Sequence, residues 1–340
     1  MGPPAYPDRL RPGDPGAMSK DRFQFLELDV RSERPTTPPR VSPSRAARQR
    51  PSGVRVVEII GSFGTGPGEF NCPAGLALDR ESNLYVADAL NHRVQRISPA
   101  GEVTVLGEPG KRMGQFTLPK AVAMDLAGCL YVVEQGNHRV QKFNPRGEWA
   151  HAFGSQGSSL GQFNSPCHLA LDQFHNLYVA DAGNRRVQIF TSGGSFLAAL
   201  PRPNHHQGLV QLQRPSGVAV DDQGQVLIAD TTAHLVYRCD RQGELLATIG
   251  CPGPAPGQLS EPWALALDGA GNLWVTELGN HRLQRFNPQG ESDLTFTTQR
   301  GLPGRIISPS GLALDLGRGD LYLADTLNHR ILRMVAATAA

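Results

Sequence analysis

The sequence predicts an all-β fold, a six-bladed β-propeller of four-stranded blades. The tripeptide Asn-His-Arg occurs four times and has two altered copies, and successive copies lie 46, 47, 49, 47 and 48 residues apart. Each unit contains four short runs rich in Val, Leu, Ile, Tyr and Phe, separated by Gly, Pro, Asn and Asp, a pattern typical of strands and turns. No segment has the 3.6-residue period of a long helix. Regular repetition of four-stranded units predicts blades arranged around a channel.

Each tripeptide marks the turn between the second and third strands of its unit. The second strand ends in Asp or Glu, and this carboxylate and the Arg of the tripeptide are expected to pair across the turn, while Asn suits the turn itself. The tripeptides are Asn91–Arg93, Asn137–Arg139, Asn184–Arg186, Ala233–Leu235, Asn280–Arg282 and Asn328–Arg330. The second strands are predicted at 84–88, 130–134, 177–181, 226–230, 273–277 and 321–325. The third strands are predicted at 94–97, 140–143, 187–190, 236–239, 283–286 and 331–334.

The first strand of each unit begins at a proline and ends at an aspartate. These segments are 73–79, 119–125, 166–172, 215–221, 262–268 and 309–315. Within them Gly or Ala alternates with larger apolar residues, so that one face of the strand is small. A small face predicts close packing of these strands near the axis of the ring. Glycine-led segments such as 101–107, 147–154 and 243–250 supply the fourth strand.

The two ends of the repeat region predict how the ring closes. The sixth unit has no fourth strand after 331–334, whereas the strand-like segment 54–61 precedes the first unit. We expect 54–61 to complete the sixth blade, because this pairing joins both ends of the chain in one sheet and covers an exposed edge.

Charge and composition divide the chain into a tail and a domain. Residues 1–50 contain ten Lys or Arg and six Asp or Glu, a net charge of +4, which leaves residues 51–340 with a net charge of −2. The Pro- and Arg-rich residues 1–50 have too few apolar side chains to offset the entropy cost of ordering. We predict a disordered N-terminal tail at 1–50, the propeller at 51–336 and a short C-terminal tail at 337–340.

The sequence pattern argues against a secreted or membrane protein. Hydrophobic residues make up 39% of the 340, but no run approaches the roughly 20 apolar residues that a membrane helix needs, and the N-terminus lacks the features of a signal peptide. The five cysteines are odd in number and form no Cys-x-x-Cys pair. We therefore expect a cytoplasmic protein with reduced thiols and no membrane association.

The repeated motifs resemble those of the NHL repeat family. The motifs that carry the resemblance are Pro-Ala-Gly-Leu-Ala-Leu-Asp (73–79), Asn-Leu-Tyr-Val-Ala-Asp (83–88) and Asn-His-Arg-Val-Gln-Arg (91–96), and their copies cover residues 54–335. Similar propellers occur in tripartite-motif ubiquitin ligases, in the ligase malin and in RNA-binding translational regulators. The sequence has no RING or B-box cysteines. The resemblance therefore implies a recognition part in ubiquitin-dependent protein turnover, without a catalytic module of its own.

A related propeller, a peptide-amidating lyase, holds zinc with histidines placed just after the proline of several first strands. The corresponding residues are Ala74, Lys120, Cys167, Ser216, Trp263 and Ser310, none of them a histidine. His168 lies one place further on and stands alone, whereas a zinc site needs three or four converging ligands. A buried histidine with satisfied hydrogen bonds is the preferred interpretation of His168. We expect no enzymatic activity, no metal and no cofactor.

The candidate partner-binding residues lie in the loops that enter the first strands. These loops and the tripeptide turns are expected to share one edge of the ring, which we call the top rim, and loops that vary within a fixed frame are where specificity resides. The candidates are Lys111, Arg112, Lys120, Arg202, His205, His206, Arg214, Trp263, Arg300 and Arg305. The acidic residues of the same loops are Glu69, Glu108 and Glu261.

Two functions from different classes fit this rim. A monomeric propeller would bind a protein partner, with Trp263 as an anchor and the basic residues selecting an acidic surface. Alternatively, the basic loops would hold the phosphates of a folded RNA in post-transcriptional regulation. The net charge of −2 over residues 51–340 favours a protein partner, because RNA-binding domains are usually basic.

Overall fold

The computed structural model describes residues 53–201 and 211–336. Within them, 24 strands form six four-stranded antiparallel sheets. The predicted all-β, six-bladed propeller of four-stranded blades is therefore confirmed. The predicted tails at 1–50 and 337–340, together with Arg202, His205 and His206, lie outside the described residues.

Each of the first five blades is built from consecutive strands, from the innermost outward. Blade one contains β2 (Pro73–Leu78), β3 (Leu84–Asp88), β4 (Arg93–Ile97) and β5 (Val103–Leu106). Blade two contains β6 (Pro119–Met124), β7 (Leu130–Glu134), β8 (Arg139–Phe143) and β9 (Trp149–Phe153). Blade three contains β10 (Pro166–Leu171), β11 (Leu177–Asp181), β12 (Arg186–Phe190) and β13 (Phe196–Leu200). Blade four contains β14 (Pro215–Val220), β15 (Val226–Asp230), β16 (Leu235–Cys239) and β17 (Leu245–Ile249), and blade five contains β18 (Pro262–Leu267), β19 (Leu273–Glu277), β20 (Arg282–Phe286) and β21 (Ser292–Phe296).

Blade six joins the two ends of the propeller. It contains β22 (Leu312–Asp315), β23 (Asp320–Asp325) and β24 (Arg330–Ala336), and β1 (Val54–Ile60) is its outermost strand. β1 runs antiparallel to β24, with Val54 opposite Ala336 and Ile60 opposite Ile331. The predicted closure by the N-terminal strand is confirmed.

The inner strand of blade six begins later than the sequence predicts. The expected start was Pro309, but the regular strand begins at Leu312. In the first five blades the proline is paired with the acidic residue that ends the second strand, as Pro73 is with Asp88, whereas Pro309 has no such pair. Before Leu312 the contact is a bulge: Ala324 donates its N–H to the carbonyl of Gly311 and accepts the N–H of Ser310. Such an arrangement interrupts the regular ladder without ending the pairing of the strands.

The small residues of the inner strands are required by their close approach near the axis. A methyl group on Gly217 would lie 2.2 Å from the carbonyl oxygen of Trp263, and one on Gly75 would lie 2.5 Å from the Cα of Ala121. Large apolar side chains pack instead between the faces of neighbouring blades. The fully buried Phe116, for example, lies in the layer between blades one and two.

The turns of the blades form two opposite edges of the ring. The top rim holds the turns between the second and third strands and the loops that lead into the inner strands. The bottom rim holds the turns between the first and second strands and between the third and fourth. Among the described residues no helix has the length and apolar composition to cross a membrane.

Candidate functional site

A hydrogen-bonded clamp holds the top rim of blade one. The carboxylate of Asp88, at the end of β3, accepts a hydrogen bond of 2.8 Å from Nε of Arg93. The same guanidinium donates to the carbonyl oxygens of Thr65, Gly66 and Glu69 in the loop that leads into β2. The tripeptide turn and the preceding loop therefore share one rim, because one side chain bonds to both.

The same clamp recurs in four other blades, so the tripeptide serves the architecture. The predicted pairing of its arginine is confirmed in Glu134–Arg139, Asp181–Arg186, Glu277–Arg282 and Asp325–Arg330. Each carboxylate is fully buried and needs such partners, since an unpaired buried charge is strongly unfavourable. In blade four, where Leu235 replaces the arginine, Asp230 accepts hydrogen bonds from backbone N–H groups, among them those of Gln213 and Arg214.

The histidine of the tripeptide joins neighbouring blades, a role that the sequence analysis missed. Nδ1 of His92 accepts a hydrogen bond of 3.0 Å from the backbone N–H of Leu118 in the next blade. The histidine also takes the left-handed conformation of the turn, with φ of 54° at His92, whereas Asn91 donates a hydrogen bond to Asp88. Equivalent bonds join Ser165 to His138, Glu261 to His234, Ser308 to His281 and Cys72 to His329. A signal was present in the sequence, since only the third unit lacks this histidine.

The seam between blades three and four is built differently. Arg185 replaces the histidine, and the backbone N–H of Arg214 bonds to Asp230 instead. Two side chains of β10 cross this seam nearer the axis. Nδ1 of His168 accepts a hydrogen bond of 3.3 Å from the N–H of Val218, and the thiol of Cys167 lies 3.4 Å from the carbonyl oxygen of Ser216.

The predicted rim residues fall into two groups. Exposed side chains that form no ion pair with any residue of 53–201 or 211–336 belong to Lys111, Arg112, Arg300 and Arg305. Half-buried side chains near the axis belong to Lys120, Arg214 and Trp263. Within the second group, Lys120 and Arg214 both lie near the thiol of Cys167, at the place where the channel opens onto the top rim.

At the level of this channel mouth each blade contributes the second residue of its inner-strand segment. Lys120 and Trp263 are half-buried, whereas Ala74, Cys167, Ser216 and Ser310 are buried. Most polar groups of the mouth form hydrogen bonds with other groups of the protein. The hydroxyl of Ser216 donates to the carbonyl oxygen of Pro262 at 2.8 Å, and the hydroxyl of Ser310 lies 2.6 Å from that of Thr326. Lys120 and Trp263 are three blades apart and therefore on opposite sides of the axis.

Lys120 is the unusual group of the mouth. Its ammonium has no hydrogen bond or ion pair with the described residues, and its electrostatic neighbours are the thiols of Cys72 and Cys167. Desolvation lowers the pKa of Lys120, and the two thiols offset part of this shift. A partly desolvated cation without a counter-charge attracts an anionic group strongly.

An exposed apolar patch lies on the top rim where the ring closes. Its residues are Phe63, Ile307 and Leu327, which are 66%, 36% and 43% exposed. The ring of Phe63 contacts that of His329, with centroids 4.8 Å apart, and Leu327 donates its N–H to Ile307. We call these three residues the closure patch. The repeat pattern gives no sign of this patch, because its members come from both ends of the propeller.

Metal-ligating side chains do not converge in the described parts of the chain. No group of three or more His, Cys, Asp or Glu residues within 53–201 and 211–336 is arranged to hold an ion. The five cysteines are all free.

Similarity to known sequences supports the assignment of the fold. The NHL repeat family matches residues 70–97, 212–237 and 259–286, in three of the six blades. The chain is a six-bladed β-propeller that contains NHL repeats. Over 95 residues, or 26% of its length, this NHL propeller is 32% identical to the E3 ubiquitin-protein ligase TRIM32 of Mus musculus. The match spans only 14% of that ligase.

Solved structures with the same fold include proteins of several kinds. A structural genomics protein of unknown function from Bacteroides thetaiotaomicron has a TM-score of 0.65 and 18% identity, with 83% of this chain and 75% of that chain covered. A virginiamycin B lyase from Staphylococcus aureus has a TM-score of 0.55 and 14% identity, with coverage of 80% and 82%. A putative gluconolactonase has a TM-score of 0.60 and 18% identity, with coverage of 81% and 92%. At such identities the likeness concerns the fold alone.

Proposed function

We propose that this NHL propeller is a non-enzymatic binding module that recognises an acidic protein partner through its top rim. The observation that carries the proposal is the channel mouth, where Lys120 lacks a counter-charge and Trp263 lies across the axis from it. A carboxylate of the partner would supply the missing counter-charge, and an apolar side chain beside it would contact the indole.

The charges around the mouth support an acidic partner. Four exposed basic side chains of the rim form no ion pair with the described residues, whereas two of its three glutamates are engaged locally. Glu69 accepts the N–H of Gly66, and Glu108 accepts the side-chain amide of Gln115. The basic side chains of the top-rim loops outnumber their three glutamates, and an excess of positive charge accelerates the approach of an acidic surface and fixes its orientation.

The closure patch supports a protein rather than a small ion as the partner. Exposed apolar side chains grouped in one area are typical of a protein-binding surface. Trp263 packs partly against the buried cluster around Leu312, so its indole is held in place before binding. A rigid, half-buried aromatic residue is the kind of side chain that contributes most to interface affinity.

The partial likeness to the ubiquitin ligase supports a narrower version of the proposal. The matched segment of TRIM32 is propeller sequence in a much longer protein. We extend the proposal to a cytoplasmic recognition part that brings a partner to ubiquitin-dependent turnover, with transfer performed by another protein. No step of catalysis is assigned to the propeller itself.

The proposal is tested by quantitative capture of cell proteins on the full chain, with nuclease present, followed by titration of the captured partner. Trp263→Ala is expected to weaken binding by about 2 kcal/mol or more, as for an interface anchor. Replacement of Lys111, Arg112, Lys120 and Arg305 by Ala is expected to slow association. Trp149→Ala, in β9 of blade two, is the aromatic control. The charge control replaces the exposed bottom-rim residues Arg80, Arg146, Arg241 and Arg318.

The same titration addresses RNA as the ligand. Retention of full affinity in Trp263→Ala, with loss in the four-residue basic variant and a steep dependence on salt, would replace the protein partner with nucleic acid. Equal losses in the top-rim and bottom-rim charge variants would remove the top rim as the binding surface. Thermal unfolding of each variant separates a loss of binding from a loss of folding.

A further inference from the structure

A cavity of ≈ 370 Å³ occupies the channel on the side of the bottom rim. The inner strands of all six blades line it, from the level of Gly75 and His168 to Leu316 in the turn after β22. The side chains that line it are apolar except that of His168, but polar atoms, which apart from the imidazole belong to the backbone, make up slightly more than half of its exposed surface. Its volume lies within the range of about 300–1,000 Å³ typical of small-molecule sites.

His168 presents an unused hydrogen-bond donor to this cavity. Because Nδ1 accepts the N–H of Val218 at 3.3 Å, the proton of the neutral imidazole is on Nε2. Nε2 has no hydrogen-bond partner among the described residues. Desolvation lowers the pKa of His168 to about 4, so the imidazole is uncharged near neutral pH.

His168 occupies a position at which the other five blades have a small residue. The equivalent residues of the other blades are Gly75, Ala121, Gly217, Ala264 and Gly311. At Gly311 a methyl group would lie 1.8 Å from the carbonyl oxygen of Ala74, whereas the seam between blades three and four accepts the imidazole. One end of His168 therefore joins two blades, and the other end is free.

We propose that this cavity binds a neutral small molecule that combines an apolar part with a hydrogen-bond acceptor, and that the acceptor meets Nε2–H of His168. The apolar side chains of the lining would contact the hydrocarbon or aromatic part of such a ligand. A charged ligand is disfavoured, because the lining offers no counter-ion and would leave the ligand's charge without its hydration. The site lies on the bottom-rim side of the channel, so the proposal is independent of the partner-binding proposal for the top rim.

The test compares three ligands of similar size on the full chain: acetophenone, ethylbenzene and benzoate. Binding is followed by calorimetry and by the NMR shift of the His168 imidazole nitrogens. Acetophenone is expected to bind roughly tenfold tighter than ethylbenzene, which has no acceptor, as expected for one hydrogen bond. Benzoate is expected to bind more weakly than acetophenone. The Nε2 resonance should move with acetophenone and not with ethylbenzene.

Two variants complete the experiment. His168→Ala, which carries the residue found in two other blades, is expected to remove the preference for acetophenone over ethylbenzene. His175 lies in the bottom-rim turn of the same blade and does not line the cavity. His175→Asn should therefore leave the preference for acetophenone unchanged. The proposal is overturned if the wild-type chain binds none of the three ligands up to their solubility, if benzoate binds tightest, or if His168→Ala keeps the preference.

Discussion

At the scale of single residues, histidine performs two different tasks in this propeller. The five tripeptide histidines accept backbone N–H groups across blade seams, as His329 does from Cys72 at 3.0 Å. His168 performs the equivalent task nearer the axis, at the seam where Arg185 stands in the tripeptide. In both cases Nδ1 must be unprotonated to accept the bond, so the joints between blades depend on neutral imidazoles.

This dependence predicts a loss of stability in acid. The pKa values of His168 and His329 are lowered by desolvation, to about 4 for His168, whereas an unfolded histidine titrates near 6.5. The unfolded chain therefore binds more protons between these values, and the stabilisation present above pH 6.5 decreases as the pH falls towards 4. For His168 alone the change is about 3 kcal/mol.

The measurement is urea unfolding of the wild type and of His168→Ala at pH 7 and pH 4.5. The free energy of unfolding of the wild type should fall more steeply with acid than that of the variant. An identical decrease in the two proteins would contradict the assigned shift at His168.

At the scale of elements, the arginine clamp connects a turn, two strands and a loop in five of the blades. In blade two, the guanidinium of Arg139 bonds to Glu134 and to the backbone of the loop at Lys111, Arg112 and Gln115. The loop that carries two candidate partner-binding residues is therefore held by a side chain of the fixed frame. Blade four lacks this clamp because of Leu235.

Removal of one clamp should destabilise the protein strongly. Arg139→Met leaves the buried carboxylate of Glu134 without its cation, and breaking a buried ion pair by removing one partner costs about 3–5 kcal/mol. In the double variant, Glu134→Gln should lower the free energy of unfolding by less than it does in the wild type, since the two residues share one interaction.

The clamp prediction is checked by chemical unfolding, with Arg146→Met on the exposed bottom rim as the control. Additive effects of Arg139→Met and Glu134→Gln would show that the two side chains do not act as a unit. If Arg146→Met lowers the free energy of unfolding as much as Arg139→Met does, the burial of the ion pair does not explain the loss of stability.

At the scale of the whole molecule, the ring depends on one strand from the opposite end of the propeller. Val54 and Val56 of β1 pack against the apolar cluster of blades five and six, and Gln299 accepts the N–H of Val56. β1 thus supplies both the outer ladder of blade six and part of its core.

Truncation should distinguish the tail from this strand. Deletion of residues 1–50 is expected to leave the thermal unfolding midpoint nearly unchanged. Deletion of residues 1–62 removes β1 and exposes the edge of β24, and is expected to cost several kcal/mol or to cause aggregation. Scanning calorimetry and light scattering of the two truncated chains provide the measurement, and equal behaviour of the two would contradict the closure.

The sequence by itself determined the number of blades, the positions of nearly all strands, the closure by 54–61 and the pairing of Asp88 with Arg93. These features are local and repeat six times, so that periodic spacing and strand alternation make them visible. One boundary differs from the prediction: β22 starts at Leu312, because Pro309 is not paired with the end of the second strand as the prolines of the other blades are, and this pairing depends on backbone geometry that residue types do not encode.

Only the tertiary structure decided which side chains meet. The histidine bonds between blades, the opposition of Lys120 and Trp263, the closure patch and the free Nε2 of His168 all involve residues from different blades. Their proximity follows from the curvature and closure of the ring, which bring together residues far apart in the chain. Whether a polar group is buried and unpaired also depends on every neighbouring blade at once. The pattern within one repeat therefore specifies the blade, and the packing of six blades creates the surfaces and the cavity.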